Sequence, residues 1–241
     1  MTTENSISFE IATRLRTEIL RQRFQSGDRL PSERDLAARF DSSRGAVREA
    51  LSQLEQSGLI DIQPGGARVK PIEAASISVL GPLMSLDEVP DPALVDQFLQ
   101  TFGALSALTA REAIKQANDE DMIRLRRMVV NLNRQSKDFE SMQPPWREFL
   151  EELANVADNL VVHLISNDLK THFVEQMLQL GFVPKLRKTA VNEVLSDLQK
   201  AVAARDGNQA QAAVQAYFDE VRGAVRELIH SRLGENRRQA V

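Results

Sequence analysis

Apolar side chains recur at Phe9, Ile11, Leu15, Ile19 and Leu20, a helical spacing that predicts a first helix over residues 8–24. Turn residues at Gln25-Ser26-Gly27-Asp28 interrupt the pattern. Pro31-Ser32-Glu33-Arg34-Asp35 opens a second helix, with Ser32 suited to its N-cap and Asp35 at the third position of a capping-box-like start. That helix runs out near Phe40. A polar turn, Asp41-Ser42-Ser43, lets Ser43 cap a third helix from Arg44 to Ser57. Val47, Ala50, Leu51 and Leu54 give this helix one apolar stripe, and Gly58 fits its C-terminal cap.

The period then changes. Leu59–Gln63 and Ala67–Lys70 alternate on either side of Pro64-Gly65-Gly66, which reads as a β-hairpin. Three helices and a hairpin outline a winged helix-turn-helix of α/β class. Residues 72–92, with Pro71 before them, hold Gly81, Pro82, Pro90 and Pro92 and read as a linker containing one short helix. Beyond it, helical spacing recurs over about 93–117, 119–137, 144–158, 159–180, 184–204 and 207–233. Gly103, Pro144-Pro145, Gly181 with Pro184, and Gly207 punctuate those blocks. The expected organisation is a DNA-binding domain over 1–71, a linker over 72–92, an all-α helical bundle over 93–234 and a flexible polar tail over 235–241.

Composition narrows the class. Hydrophobic residues make up 42% and charged residues 27% of the 241, typical of a soluble globular chain. With no cysteine, disulfides and thiolate metal sites are excluded. The first ten residues lack the order of a signal peptide, and no apolar run reaches the ~20 residues of a membrane span, so a cytoplasmic location is expected. The net charge is −4, unevenly spread: residues 1–70 carry eleven Lys and Arg against ten Asp and Glu, the rest nineteen against twenty-four. Ten of the eleven N-terminal cations are arginine, whose planar fork suits phosphate and guanine.

Position gives these arginines meaning. In a helix-turn-helix the second helix presents its leading residues to base edges in the major groove. Arg44 and Arg48 lie four apart, opposite the apolar stripe of the third helix, beside the small residues Gly45 and Ala46. Arg34 stands at the corresponding start of the second helix. Each taken singly is equally a surface arginine paired with Glu33 or Glu49.

Leu30-Pro31-Ser32-Glu33-Arg34-Asp35-Leu36-Ala37, Ser43-Arg44, Val47-Arg48-Glu49-Ala50-Leu51 and Gly58-Leu59-Ile60 together resemble the signature of the GntR family of bacterial regulators, over about residues 8–70. The resemblance implies that Arg34, Arg44 and Arg48 contact operator DNA and that a wing glycine, Gly65 or Gly66, enters the minor groove. Ser32 and Ser43, which open the two helices inside the motif, join this DNA-binding set. Gly45-Ala46 departs from the polar pair usual in the family, which bears on base preference rather than on binding mode.

The length and helix count after residue 92 resemble the effector domains of the FadR-like branch, many of which hold a metal through an Asp and a His four apart plus two further histidines. Aligned on Phe149 and on the Ala204–Asp206 turn, those four positions fall on Trp146, Leu150, Leu195 and Tyr217, so no metal and no other cofactor is expected. His163, His172 and His230 do not restore the set, and Glu227-x-x-His230 is only half of a di-iron carboxylate motif. The replacements suggest an effector pocket built from Phe102, Trp146, Leu150, Leu195 and Tyr217, although each is equally explained as core. FadR itself, responsive to fatty acyl-CoA, resembles this chain in lacking the metal set.

No nucleophile elbow, phosphate-binding glycine loop or His-Glu-x-x-His is present, and Glu148, Glu151 and Glu152 read as a solvated face, so an enzyme is not expected. The expected protein is a ligand-responsive regulator: a homodimer on a pseudo-palindromic double-stranded operator, answering to an apolar organic acid or a fatty acyl-CoA. Lys185 and Lys188, near a helix start, are placed to meet a charged end of such a ligand. The alternative is a DNA-binding regulator or architectural protein without a small-molecule effector.

Overall fold

The computed structural model describes residues 7–87, 89–135, 138–172 and 183–239. Two compact units divide the chain between Asp87 and Glu88.

The first unit opens with α1 (Ile7–Leu20), α2 (Glu33–Arg39) and α3 (Arg44–Gln56), followed by β1 (Ile60–Gln63) and β2 (Gly66–Val69). Its core gathers Ile11, Leu15 and Ile19 of α1, Leu36 of α2, and the whole predicted stripe Val47, Ala50, Leu51 and Leu54 of α3. Phe9, on the other side of α1, is exposed. The strands pair antiparallel with Ile60 opposite Val69 and Gln63 opposite Gly66, leaving Pro64-Gly65 as the turn. Gly65 there takes φ 107°, a conformation that side-chain-bearing residues rarely adopt.

The hairpin has a third neighbour that the alternation pattern does not reveal. Leu30 N donates to Ala67 O at 2.9 Å, Val69 N to Asp28 O at 2.9 Å and Gly27 N to Val69 O at 2.8 Å. Residues 27–30 therefore cover the open edge of β2 and tie the wing to the start of α2. After β2, two 3₁₀ turns (Ile72–Ala74 and Ile77–Val79) lead into α4 (Leu80–Met84). The first turn rests on Gly58, where an added Cβ would lie 2.7 Å from Ala74 O.

The second unit is helical throughout its described residues: α5 (Pro92–Gln116), α6 (Asp119–Gln135), α7 (Phe139–Ala157), α8 (Leu160–His172), α9 (Lys188–Ala204) and α10 (Gly207–Gln239). Helix α10 packs along α5, α7 along α5 and α6, and α9 against α6 and α10. Polar caps fix the helix starts. Asp91 accepts from Ala93 N at 2.8 Å, Asn118 and Asp121 bond each other's backbone N–H reciprocally at 2.9 and 3.0 Å, and Asp206 accepts from Asn208 N and Gln209 N.

Two positions read as breaks are helical here. Gly103 lies inside α5, where its missing side chain admits α10: a Cβ on it would lie 2.7 Å from Phe218 Cβ. Pro144 and Pro145 lie inside α7, which starts five residues earlier because Asp138 and Ser141 form a capping box. The prolines follow the first turn, so the carbonyls they leave without a helical partner belong to Glu140 and Ser141, neither of which is buried. The predicted break at Gly181 lies outside the described residues.

Candidate nucleic-acid interface and helical-domain interior

Each arginine of the predicted DNA-reading set is positioned by a serine cap. Ser32 Oγ accepts from Asp35 N at 3.2 Å and donates to the Asp35 carboxylate at 2.6 Å, which fixes the start of α2. Ser43 Oγ accepts from Ala46 N at 3.1 Å and does the same for α3. Arg34 follows the first cap by two residues and Arg44 the second by one. Both side chains are exposed, with Arg34 Nε 3.6 Å from Asp35. Arg48, one turn beyond Arg44, donates through Nε and Nη2 to Glu33 at 3.2 and 3.0 Å. This pairing joins the first turn of α2 to the second turn of α3 and holds the Glu33 carboxyl below its ordinary range.

Arg34 and Arg48 each contact one acid directly, whereas Arg44 makes no direct ion pair among the described residues and acts on the Glu33 carboxyl only through its charge. Three exposed guanidinium groups thus stand near the leading ends of two adjacent helices, off the buried stripe of α3. At the wing, no side chain or backbone atom lies within 4 Å of where a Gly65 Cβ would be, so the tip is open. Gly66 differs: a Cβ there would lie 2.8 Å from Arg29 Nε. Arg29 also bridges to Arg68 across the wing edge, and Arg68 Nη1 donates to Gly27 O at 3.0 Å. Sequence reasoning missed Arg29 and Arg68 as the wing's own arginines. Their signal was the pairing of residues 27–30, too short for any periodicity.

In the helical unit, all five residues assigned to an effector pocket are buried. Trp146 and Tyr217 face each other with ring centroids 3.9 Å apart. Phe102 meets Phe218 edge-on at 5.5 Å, and Phe218 meets Tyr217 at the same distance. Gln143 Nε2 donates to the Tyr217 hydroxyl at 3.2 Å, and burial pushes that phenol well above its ordinary range. The Trp146 indole N–H is buried with no acceptor among the described residues. Phe102 and Leu150, with Ser106, Thr109 and Ser166, line a cavity of about 10 Å³, room for one water. Leu195 is core on α9.

These side chains do not suit a metal. An indole and two leucines offer no lone pair to a cation, and a phenol held neutral by burial is a poor donor. No group of three or more His, Asp or Glu comes together for one elsewhere among the described residues. His163 is half-buried on α8, His230 is exposed on α10, and the His172 side chain lies outside the described residues. Glu148 and Glu151 are exposed, while Glu152 accepts from Arg124 at 2.8 Å, as on a solvated face.

A larger cavity, about 490 Å³, opens between the starts of α7 and α9. Phe139, Met142, Val183, Pro184, Leu186 and Val191 form its walls, with Asp138, Lys185 and Lys188 around them. No described helix is long and apolar enough to cross a membrane.

A winged helix-turn-helix with a guanidinium-bearing reading helix, followed by a helical bundle with a ligand-sized cavity, defines a one-component transcription regulator. Residues 8–69 match the family described as bacterial regulatory proteins, gntR family, and residues 71–236 match the FadR C-terminal domain. The chain belongs to the GntR family, in its FadR-type branch, and its relatives are regulators rather than enzymes. It is 29% identical over 200 residues to the HTH-type transcriptional regulator LutR of Bacillus subtilis (strain 168), covering 81% of this chain and 90% of that one. The HTH-type transcriptional repressor NanR of Cronobacter sakazakii is 33% identical over 132 residues, 54% of this chain and half of its own length. A solved structure described as "Lar controls the expression of the Listeria monocytogenes agr system and mediates virulence" has the same fold, with a TM-score of 0.55 and 17% identity over 92% of this chain and 97% of that one.

Proposed function

We propose that this regulator binds a pseudo-palindromic operator as a two-fold homodimer through Arg34, Arg44 and Arg48, and that a largely apolar organic acid or its acyl-CoA thioester releases it. The observation carrying the DNA half is the pair of serine-capped helices that carry three exposed arginines near their leading ends. Ser32 and Ser43 act as positioning residues in this reading, and Gly65, whose tip is unobstructed, reaches the minor groove. One winged module is small for tight specific binding, which supports two half-sites and a dimer in the cytoplasm.

The effector half rests on the chemistry of the helical unit. Its interior presents aromatic and aliphatic side chains where a cation would need carboxylate and imidazole. Signalling follows if the ligand favours a dimer arrangement whose reading helices no longer match the half-site spacing. Moving a mostly bound population to a mostly free one takes a preference on the order of 5 kcal/mol.

The test begins with DNA selected by the protein from a randomised pool. The triple variant Arg34→Ala/Arg44→Ala/Arg48→Ala is expected to melt like the parent and lose that DNA; retained affinity would overturn the assignment. Light scattering at micromolar concentration should give a dimer, and a monomer unchanged by DNA would refute that part. A thermal-shift screen of organic acids and acyl-CoAs, with DNA release as readout, tests the effector. If no compound acts, the protein binds DNA without small-molecule control.

A further inference from the structure

We infer that Arg29 is a specificity-determining residue of the wing: it carries a guanidinium fork toward the hairpin tip and selects A·T-rich minor groove beside each half-site. This rests on the operator-binding reading above and extends it to base pairs outside the reach of α3.

Arg29 precedes the hairpin by thirty residues and joins it only through tertiary pairing. Its bridge to β2 sets it opposite Arg68. The flanking bonds, Leu30 N to Ala67 O and Val69 N to Asp28 O, make this a non-hydrogen-bonded pair, in which opposed side chains share a face and lie close. Both arginines are exposed, and neither makes an ion pair among the described residues. Asp61 stands opposite Arg68 on β1, where its carboxylate accepts from Gln63 Nε2 at 2.5 Å. One acid balances at most one of the two cations. Like charges set directly opposite each other are destabilising, so the pair favours an incoming anion.

The two forks diverge. Arg68 Nη1 donates to Gly27 O at 3.0 Å, which holds it toward the base of the wing. Arg29 runs the other way. Its Nε, Nη2 and Cζ lie 2.8, 3.2 and 3.4 Å from where a Cβ on Gly66 would be. Gly66 lies two residues nearer the turn than Arg68, on the same face of β2. The fork therefore occupies the space that any side chain at 66 would take, and Gly66 also has φ 125°, so space and conformation both call for glycine. Beyond it the tip is bare, with nothing within 4 Å of a Gly65 Cβ.

A bare turn with a guanidinium beside it suits the minor groove in shape and charge. That groove is about 6 Å wide and presents acceptors at every pair, with an amino donor added at G·C. A·T tracts narrow it and deepen its negative potential, which draws arginine in. The planar fork is also more weakly hydrated than an ammonium, so it gives up less on entering.

The test uses the full-length protein and a duplex it selects from a randomised pool. The pairs flanking each half-site are replaced by A·T, G·C or inosine·C, the last keeping guanine's major-groove edge without its minor-groove amino group. The parent should bind A·T and inosine·C flanks alike and G·C flanks about tenfold more weakly. Arg29→Met, which keeps an apolar stem over Gly66, should bind all three alike. Arg29→Lys should keep its affinity for random duplex and lose most of the flank preference. Circular dichroism checks that both variants fold. Inosine·C behaving like G·C would place the readout in the major groove and overturn the inference. So would a parent indifferent to its flanks, or an Arg29→Met loss of equal proportion on all three, the mark of a phosphate contact. Each of those results leaves selectivity at the core positions intact, and with it the operator-binding reading. If the pool yields no preferred sequence at all, both fall together.

Discussion

Arg48 forks onto both carboxylate oxygens of Glu33, clamping the second turn of α3 to the first turn of α2. The two side chains are 73% and 38% exposed, so the clamp contributes little to stability. Its effect is on orientation and charge. On the proposed DNA-binding face, an acid here would repel phosphate and hold the fork that would otherwise seek it. Glu33→Gln should leave the melting temperature within a degree or two of the parent, and tighten binding to selected and random duplexes alike by about two- to tenfold at low salt. Fluorescence anisotropy at two ionic strengths checks this; weaker binding to both would show that Glu33 serves the complex instead.

Single alanine variants of the three arginines should separate reading from anchoring. An arginine forked onto a guanine loses about 1–3 kcal/mol and relaxes preference at one base pair. One that only meets phosphate weakens every sequence and lowers the salt slope by about one. Arg44, which makes no direct ion pair among the described residues, should show the larger loss of selectivity, measured by competition among single-base operator variants.

Ser43→Ala removes the acceptor for Ala46 N at the start of α3. The expected cost is about 1 kcal/mol of stability. DNA affinity should fall further than stability accounts for, since Arg44 opens that first turn and Arg48 follows directly on it. Urea melts and binding curves on the same variant decide it; a loss of stability alone would confine Ser43 to folding.

Asp96 of α5 accepts from Arg222 Nε at 2.6 Å and Nη2 at 2.8 Å, and from Arg226 Nη2 at 2.6 Å, both on α10. These hydrogen bonds hold its carboxyl far below the ordinary carboxylate range. A depressed acid stabilises the fold above its unfolded pKa, about 3.9, and loses that contribution as pH falls toward the folded value. Asp96→Asn should therefore cost about 1 kcal/mol at neutral pH, and the gap from the parent should close progressively below about pH 4. Urea melts from pH 7 to 3 give the measurement, and a gap independent of pH would contradict the assignment.

Periodicity made the DNA-binding unit readable. The stripe Val47, Ala50, Leu51 and Leu54 is buried to the last residue, and the two serine caps form as their spacing predicts. The pairing of residues 27–30 with β2 was hidden because a single bridge, Arg29 to Arg68, has no alternation to detect. Local propensity misled in the helical unit. Glycine and proline were read as breaks, yet Gly103 is small because Phe218 needs the space, and Pro144 is tolerated because a cap placed six residues upstream had already begun the helix. The Arg48–Glu33 pair was legible only as one of two possible acids. The cavity between α7 and α9 joins residues about fifty positions apart, which only tertiary packing brings into register.

Gly103 also has a meaning for genetics. An alanine there would put its methyl 2.7 Å from Phe218 Cβ, and Phe218 is hemmed in by Phe102 and Tyr217, so α5 and α10 must part rather than a ring turn aside. Overpacking of this kind costs about 1–3 kcal/mol, and for a domain of this size each kilocalorie moves the melting point by about 2–4 °C. The DNA-reading helices stay untouched in their own unit. Such an allele would score as conditional: normal behaviour in cool-grown cells, and in warm-grown cells a chain whose helical unit has come apart while α1–α3 keep their fold.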